Sequence, residues 1–347
     1  MTGLSGPTGV VGPIGVHGGR LLARTADAVL DGTVVGGFSR LGIVARRALP
    51  AWPADPEPES LRDRTALVTG AGSGIGLAAA AGLAALGARV LLGVRSQEKG
   101  AAAEQRIRVT VPNANLAIVM NDVADLGSVR STARDIISNE PRLDIIVHNA
   151  GVLPHEREET ADGHEVTFAT HVLGPILLTE LARPALRASG KSRVIFVSSG
   201  GMYTQRLPVD DPEYRAGGYK GATAYARTKR MQVALTPLLA QRWGSEGVDV
   251  HAMHPGWADT PGVVDALPGF HRVMKPLLRD AKAAADTIVW LAAAQPPPPV
   301  GRFWHDRRSR AVHRLPGTRQ SSEDVLRIWR YCAHALGISP VHPAGPS

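Results

Sequence analysis

Cysteine, aromatic side chains and lysine are all scarce in this chain of 347 residues. The single cysteine, Cys332, excludes an intramolecular disulfide framework and suits a reducing compartment, where a buried and inert thiol is expected. No run of about 18 apolar residues occurs, so a transmembrane helix is not expected. The first residues lack a basic stretch followed by a compact apolar core, so no signal peptide is predicted. These absences together predict a cytoplasmic protein.

Lysine supplies six of the 39 basic residues and arginine the other 33, against 31 acidic residues and a formal net charge of +8. With alanine also abundant, this bias indicates coding composition rather than adaptation to a polyanion. The densest basic cluster is Arg307-Arg308-Ser309-Arg310 with His313 and Arg314. Because it lacks interleaved aromatic residues, a solvated surface is favoured over a nucleic-acid site. We therefore expect no nucleic-acid partner.

Composition divides the chain into four segments. Residues 1–19 are rich in glycine, proline and valine without charge, and are predicted to be disordered. Residues 20–60 hold two helical patterns, at 21–30 and 33–49, and a proline-rich linker. Residues 61–305 alternate β-prone and helical patterns as one domain of about 250 residues, ending in a short strand at 301–304. Residues 306–347 are a C-terminal extension with a helix expected at 322–336.

The second helical pattern of the N-terminal arm is amphipathic. Its apolar residues are Val34, Val35, Phe38, Leu41, Ile43 and Val44, opposite Arg40, Arg46 and Arg47. Two interpretations stay open: an arm packed on the domain or on a partner subunit of a homo-oligomer, and a segment at 20–49 lying on an anionic membrane surface. Every motif below follows Thr65, so we expect that removing residues 1–50 leaves catalysis by the core intact.

A glycine-rich turn follows the first apolar run of the domain. The run at 65–69 leads into Gly70, Gly74 and Gly76, and an alanine- and leucine-rich helix follows. In this context glycines let the backbone approach a pyrophosphate, and the helix N-terminus offers free N–H groups and a positive dipole. The alternative is a tight turn that uses glycine only for its backbone freedom.

Tyr225 and Lys229 lie four residues apart at the start of a helical pattern, so both side chains project from one face of the helix. Tyrosine, with a pKa near ~10, is a poor acid or base at neutral pH. A nearby positive charge stabilises the phenolate and lowers this pKa. A solvated helix face also produces this pair by chance, so the pair alone is weak.

The whole motif set, in this order, resembles the short-chain dehydrogenase/reductase family. Besides Thr69 and the Gly-x-x-x-Gly-x-Gly turn, it comprises Asp122-Val123, Asn149-Ala150-Gly151 preceded by His148 where the family has asparagine, Ser198-Ser199, and Pro255-Gly256 with Thr260. Each follows a predicted strand, and the resemblance covers about residues 61–305. Residues 198–202 and 254–262 look most like the subgroup of dehydrogenase/reductase member 12.

The resemblance implies an α/β fold: a Rossmann-type, doubly wound parallel sheet of about seven strands with helices on both faces, here with the N-terminal arm and C-terminal helix added. It implies that Tyr225 is the acid/base, that Ser199 holds the substrate oxygen, and that Lys229 binds the nicotinamide ribose and lowers the Tyr225 pKa. No metal is expected. The positions expected to bind the cofactor are Gly70, Ser73, Gly74, Ile75, Gly76, Arg95, Asp122, Val123, Asn149, Ala150, Gly151, Tyr225, Lys229, Pro255, Gly256 and Thr260.

His171 departs from the family pattern, which has asparagine there to help a water relay protons toward the lysine. A histidine can also hold a water and titrates near neutrality. It can equally be a packed core residue, and the sequence leaves both interpretations open.

The end of the second strand indicates the cofactor. Val94 stands where an acid usually binds the ribose 2′-hydroxyl, and Arg95 follows it. A guanidinium attracts a 2′-phosphate, although Ser73 occupies a position that is basic in many phosphate-preferring members. We therefore expect NADP(H) in preference to NAD(H).

Residues 200–221 form an insert longer than compact members need, and with residues 257–278 they are expected to wall the substrate site. Their aromatic and aliphatic content favours a lipophilic carbonyl or alcohol, unless these loops simply pack on each other. Two other functions are weighed: an epimerase or dehydratase, disfavoured by the glycine spacing, and a dinucleotide-binding sensor or scaffold, disfavoured by the intact Ser199, Tyr225 and Lys229.

Overall fold

Eight strands form one sheet at the centre of the molecule. The computed structural model describes residues 25–259, 269, 272 and 274–341. The strand order is β3-β2-β1-β4-β5-β6-β7-β8, and every neighbouring pair is parallel except β7 and β8. The strands are β1 Thr65–Thr69, β2 Arg89–Val94, β3 Leu116–Met120, β4 Ile145–His148, β5 Ser192–Val197, β6 Val248–Met253, β7 Phe303–His305 and β8 Arg308–Ser309.

Helices cover both faces of the sheet and enclose two apolar clusters, one on each side. The helices are α1 at 25–32, α2 Val34–Phe38, α3 Arg40–Arg47, α4 Gly74–Ala85, α5 Gln97–Thr110, α6 Leu126–Asn139, α7 Val166–Phe168, α8 Gly174–Ala188, α9 Gly221–Gly244, α10 Ala281–Ala293 and α11 Ser322–Leu336. A π-helical turn, Ala169–Leu173, joins α7 to α8, and 3₁₀ turns occur at Gly200–Thr204 and Lys275–Leu277. The doubly wound fold is confirmed.

The expected bounds of β1 and α11 agree with the structure. The last parallel strand begins two residues later than expected, and the antiparallel β8 was not predicted. Both connecting residues, Asp306 and Arg307, are left-handed, with φ of 50° and 56°, as a two-residue hairpin turn requires. The predictions for residues 1–19 and for Thr260 lie outside the described residues.

The N-terminal arm packs on the domain, but not as the single helix predicted over 33–49. Ser39 is extended, and its side chain caps α3 by accepting a hydrogen bond from Gly42 N, which separates α2 from α3. A Cβ at Gly42 would lie 1.9 Å from Gly36 O, so the two helices approach closely. Phe38 and Ile43 are buried. None of the described helices is both long and apolar enough to cross a bilayer.

A buried ion cluster fixes the arm to the domain. Asp306 accepts hydrogen bonds from Arg46 Nη1 at 2.5 Å and from Arg279 Nη1 at 2.6 Å, and all three side chains are 1% exposed. Arg46 also donates to Asp27, which pairs with Arg310. Burial alone would raise the pKa of Asp306, but the neighbouring positive charges hold it well below its usual range.

The basic cluster at residues 307–314 is not a solvated surface, so that expectation is wrong. The side chains of Arg307 and Arg310 are only 6% exposed. Arg307 pairs with Asp286 at 2.8 Å, and Arg314 pairs with Asp31 of the arm at 2.7 Å. Ion pairing with aspartates distant in sequence therefore explains most of this cluster.

The C-terminal extension is also part of the packed core. Trp329 and Cys332 of α11 are buried in the same apolar cluster as Phe168 and Trp243. Cys332 is buried, as expected, and burial raises the pKa of its thiol.

These contacts change the expectation for truncation. Removal of residues 1–50 would leave the buried Asp306 without Arg46 and would empty the site occupied by Phe38. Removing one partner of a buried ion pair costs about 3–5 kcal/mol because a charge is left uncompensated. The arm is therefore not dispensable to the domain.

Replacing Arg46 with methionine should lower the free energy of unfolding by about 3–5 kcal/mol, because Asp306 and Asp27 both lose a buried partner. Arg47→Met is the control on the same helix. Arg47 is 44% exposed in its pair with Asp286, so its loss should cost about 0–1 kcal/mol. Urea titrations of both variants measure the difference, and equal losses would contradict the ion cluster as the anchor of the arm.

Five of the described histidines are buried: His148, His171, His251, His254 and His305. Burial lowers the pKa of each, to about 3 for His148 and His251 and to about 4 for His305. In the unfolded chain these groups bind protons below pH ~6.5. Stability is therefore lost as the pH falls from about 6.5, by up to about 1.4 kcal/mol per pH unit for each histidine.

The free energy of unfolding should therefore fall with a steepening slope as the pH is lowered below about 6.5, because the unfolded chain binds protons that the buried imidazoles do not. His148→Asn should reduce this slope by about one fifth, because it removes one buried imidazole. Urea titrations between pH 7.5 and 5 measure the slope, with the exposed His155→Asn as control. An unchanged slope in His148→Asn would contradict the account.

Candidate active site

The expected site residues that the structure describes gather at one edge of the sheet. The glycine turn follows β1, Asn149 follows β4, Ser199 follows β5 by two residues, and Pro255 follows β6 by two residues. Parallel strands place their carboxyl ends on one edge, so these segments converge there. Helix α9 brings Tyr225 and Lys229 toward Ser199.

The glycine turn is built for close approach of the backbone. Gly70 and Gly74 have φ of +67° and +55°. A Cβ at Gly76 would lie 2.3 Å from Gly70 O, and one at Gly70 would lie 2.9 Å from Ala150 Cα. Ser73 precedes α4 and makes no capping bond, so its hydroxyl does not cap the first N–H groups of the helix. This cradle fits a phosphate group.

Asn149 holds the glycine turn in place. Its Nδ2 donates to Thr69 O at 3.0 Å, and the N–H groups of Asn149 and Ala150 both donate to Thr69 Oγ1, at 3.0 and 3.1 Å. Thr69 Oγ1 donates in turn to Val147 O. The Asn149 side chain therefore fixes the relative position of the β1 and β4 ends.

Ser199, Tyr225 and Lys229 form the centre of the site. The Ser199 side chain is close enough to Tyr225 to lower the pKa of its phenol, and Ser199 Oγ accepts a hydrogen bond from Gly201 N at 3.2 Å. Lys229 Nζ lies 5.5 Å from the centre of the Tyr225 ring and donates to Val197 O at 2.7 Å. Ser198 Oγ donates to Lys229 O, which ties the end of β5 to helix α9.

Burial dominates the electrostatics of this centre. Burial raises the pKa of Tyr225, and the neighbouring Ser199 side chain opposes only part of the rise. Burial also lowers the pKa of the Lys229 ammonium to about 7, and Lys229 is 2% exposed. Burial is the largest cause of both shifts, and the lowering of the Tyr225 pKa by Lys229 stays a prediction.

His171 has the contacts of a packed structural residue. Val152 N donates to its Nε2 at 3.1 Å, and Nδ1 lies 2.8 Å from Thr228 Oγ1, which itself donates to Tyr225 O. The proton of the imidazole is therefore on Nδ1, and both nitrogens have protein partners. Burial and Lys229 hold its pKa well below the usual value. Of the two interpretations left open by the sequence, these contacts favour the packed core residue over the proton relay, because both ring nitrogens already have protein partners.

The remaining cofactor positions are spread along the same edge. Arg95 is exposed after β2 and makes no ion pair with any described residue. Asp122 caps its own turn by accepting from Ala124 N, and Val123 is buried. Gly256 has φ +79°, so its turn favours glycine. Ile75 and Gly151 lie beside the glycine turn and beside His171, respectively.

The insert at residues 200–221 does not present all its apolar residues to a substrate. Met202 and Tyr203 are buried in the core, and Tyr203 OH donates to Ala311 O. Glu213 accepts from Tyr331 OH of α11 at 2.5 Å. Through Tyr203 and Glu213 the insert packs on the C-terminal extension, a contact that neither interpretation of the sequence predicted.

Three functional neighbours were missed by sequence reasoning. Thr228 orients His171, and Gln232 Nε2 donates to His171 O at 2.8 Å. Lys99 lies beside the glycine turn, because a Cβ at Gly72 would be 3.6 Å from Lys99 Cβ. Of these three residues, only Lys99 could have been found from the sequence, because it is a second basic residue shortly after Arg95.

Comparison with known proteins identifies the family of this chain. Residues 64–268 match the family described as short chain dehydrogenase. Dehydrogenase/reductase SDR family member 12 of Bos taurus is 39% identical over 263 residues, covering 75% of this chain and 81% of that protein. Retinol dehydrogenase 13 of Mus musculus is 33% identical over 323 residues, covering 90% and 93%. Among solved structures, the chain is similar to a candidate NAD(P)-dependent gluconate 5-dehydrogenase from Beutenbergia cavernae, which contains NADP at low occupancy. The TM-score is 0.56 and the sequence identity 26%, and the match covers 68% of this chain and 92% of that one.

The chain belongs to the short-chain dehydrogenase/reductase family and is an NAD(P)-dependent oxidoreductase. The resemblance inferred from the motifs is confirmed, including the similarity to the member 12 subgroup.

Proposed function

We propose that this protein is an NADP(H)-dependent reductase of lipophilic carbonyl compounds, with Ser199, Tyr225 and Lys229 as its active residues. The observation that carries the proposal is the partly buried Tyr225 side chain, which lies beside Ser199 and Lys229 on the same sheet edge as the glycine turn.

The protonation of the site favours the reduction direction. Because burial raises the pKa of Tyr225, the phenol keeps its proton at neutral pH and can donate it to a developing alkoxide. Ser199 Oγ lies beside that hydroxyl and is placed to hold the same substrate oxygen. Lys229, by resemblance, holds the nicotinamide ribose. Bound NADP(H) supplies the hydride.

The preference for the phosphorylated cofactor is supported by two basic residues. Arg95 is exposed directly after β2. The Cβ of Lys99 lies beside Gly72 of the glycine turn. Both side chains can approach a ribose 2′-phosphate, whereas Val94 offers no carboxylate to the 2′-hydroxyl of NAD(H).

A lipophilic substrate is supported by apolar residues near the start of α9. Leu153 and Pro154 are only partly buried, and a Cβ at Gly221 would meet Pro154 O at 1.8 Å. Trp257, after β6, is also partly exposed. The relative named retinol dehydrogenase 13 carries an apolar alcohol in its name, which agrees with this substrate class.

We also propose a cytoplasmic location with a small-molecule substrate, without a nucleic-acid partner.

The outer face of α3 is exposed and partly apolar. Leu41 and Val44 on this helix are 64% and 58% exposed, and Arg40 beside them is exposed. This face supports contact with an anionic membrane surface or with a second copy of the chain.

Tyr225→Phe should abolish NADPH-dependent reduction of lipophilic aldehydes, ketones and quinones, while NADPH affinity changes by no more than a few-fold. The substitution removes the transferable proton and little binding surface. Absorbance of NADPH measures turnover, and its fluorescence measures binding. Tyr214→Phe is the control, since that hydroxyl donates only to Gly218 O within the insert. Retention of more than about a tenth of the activity would remove Tyr225 from the acid/base role.

Arg95→Ala should weaken NADPH binding by roughly ten- to a hundredfold and leave NADH binding nearly unchanged, because a charge-assisted hydrogen bond contributes about 1.5–3 kcal/mol. Arg106→Ala, an exposed arginine farther along α5, is the control. Fluorescence titration with each nucleotide measures the affinities. Equal losses for both nucleotides would show that Arg95 does not contact the 2′-phosphate.

A further inference from the structure

Phe38 of the N-terminal arm is buried between two segments of the active site. A Cβ at Gly200, the residue after Ser199, would lie 3.0 Å from Phe38 Cε2. On the other side the ring packs edge-on against His254 and Trp257, with centroids 4.6 and 5.9 Å away. One ring therefore contacts both the segment after β5 and the segment after β6.

The backbone of the arm fixes the segment after β6 as well. Trp257 N donates to Phe38 O at 2.8 Å, and Arg279 Nε donates to Ser39 O at 3.1 Å. A Cβ at Gly256 would lie 2.7 Å from Phe38 O, so the turn at Gly256 packs directly against the backbone of the arm.

The C-terminal extension holds Phe38 from the outside. The Arg314 guanidinium lies 5.5 Å from the centre of the Phe38 ring and 4.6 Å from that of Tyr203. Arg314 is itself paired with Asp31 of the arm at 2.7 Å. The arm and the extension therefore converge beside the 3₁₀ turn that begins after Ser199.

We propose that Phe38 is a positioning residue for hydride transfer, and that the N-terminal arm is thereby a component of the active site. It sets the distance between the segment carrying Ser199 and the segment after β6, where Pro255 and Gly256 are expected to bind the cofactor. The inference rests on the proposed function. A displacement of about 1 Å between reacting groups can reduce turnover by about a hundredfold.

Phe38→Ala should lower kcat about ten- to a hundredfold, while KM for NADPH stays within about threefold. Of the expected cofactor positions, the arm approaches Gly256 through the Phe38 backbone, which the substitution keeps, and the glycine turn has its close neighbours elsewhere. Phe38→Leu, which keeps bulk against Gly200, should recover most of the rate. Ile43→Ala is the matched control: Ile43 is an equally buried apolar residue of the same arm. It should lower the unfolding temperature to a similar extent without changing kcat.

Unchanged kcat in Phe38→Ala, or equal loss of kcat in Ile43→Ala, would overturn the positioning role. Hydrogen exchange of peptides covering 198–204 and 254–258 provides a readout that needs no substrate. Faster exchange in both peptides for Phe38→Ala alone supports the role, and equal exchange in the two variants overturns it. Absence of turnover in the unmodified protein with every carbonyl tested would instead contradict the proposed function, and the exchange result would still decide the role of Phe38.

Discussion

The buried carboxylate of Asp306 holds together three parts of the chain that are distant in sequence. Arg46 reaches it from the N-terminal arm, Arg279 reaches it from the segment before α10, and Asp306 itself lies in the turn between β7 and β8. Removing charges from water is costly, and a site of this kind is stable only when every partner is present. The fold therefore tolerates the buried carboxylate only with the arm docked.

This constraint reaches the active site through short, direct contacts. Arg46 and Arg279 both donate to Gly37 O, and the next residue, Phe38, lies against the segments that follow β5 and β6. Docking of the arm thus orders the surroundings of Ser199. Burial of this region is also the largest cause of the raised pKa of Tyr225 and of the lowered pKa of Lys229.

The sequence was sufficient for the central fold because buried parallel strands are continuous apolar runs, and the glycine turn has few alternative uses. It was insufficient wherever polar residues are buried by partners far along the chain. Arg310 looked solvated because its partner, Asp27, lies 283 residues away. His171 stayed ambiguous because its hydrogen bonds to Val152 and Thr228 exist only after α9 packs beside the π-helical turn. The capping of α3 by Ser39 was readable in principle, since serine is a preferred N-cap, but the apolar pattern continued across it.

The central claim is that the arm is a permanent part of the catalytic domain, and native-state hydrogen exchange of the unmodified protein tests it most directly. The amides of α3 and of Trp257, whose N–H donates to Phe38 O, should exchange with the same free energy of opening as the strands β1 and β4. If the amides of α3 exchange at the rate of an unprotected peptide while the strands stay protected, the arm is not docked in solution and the account is contradicted.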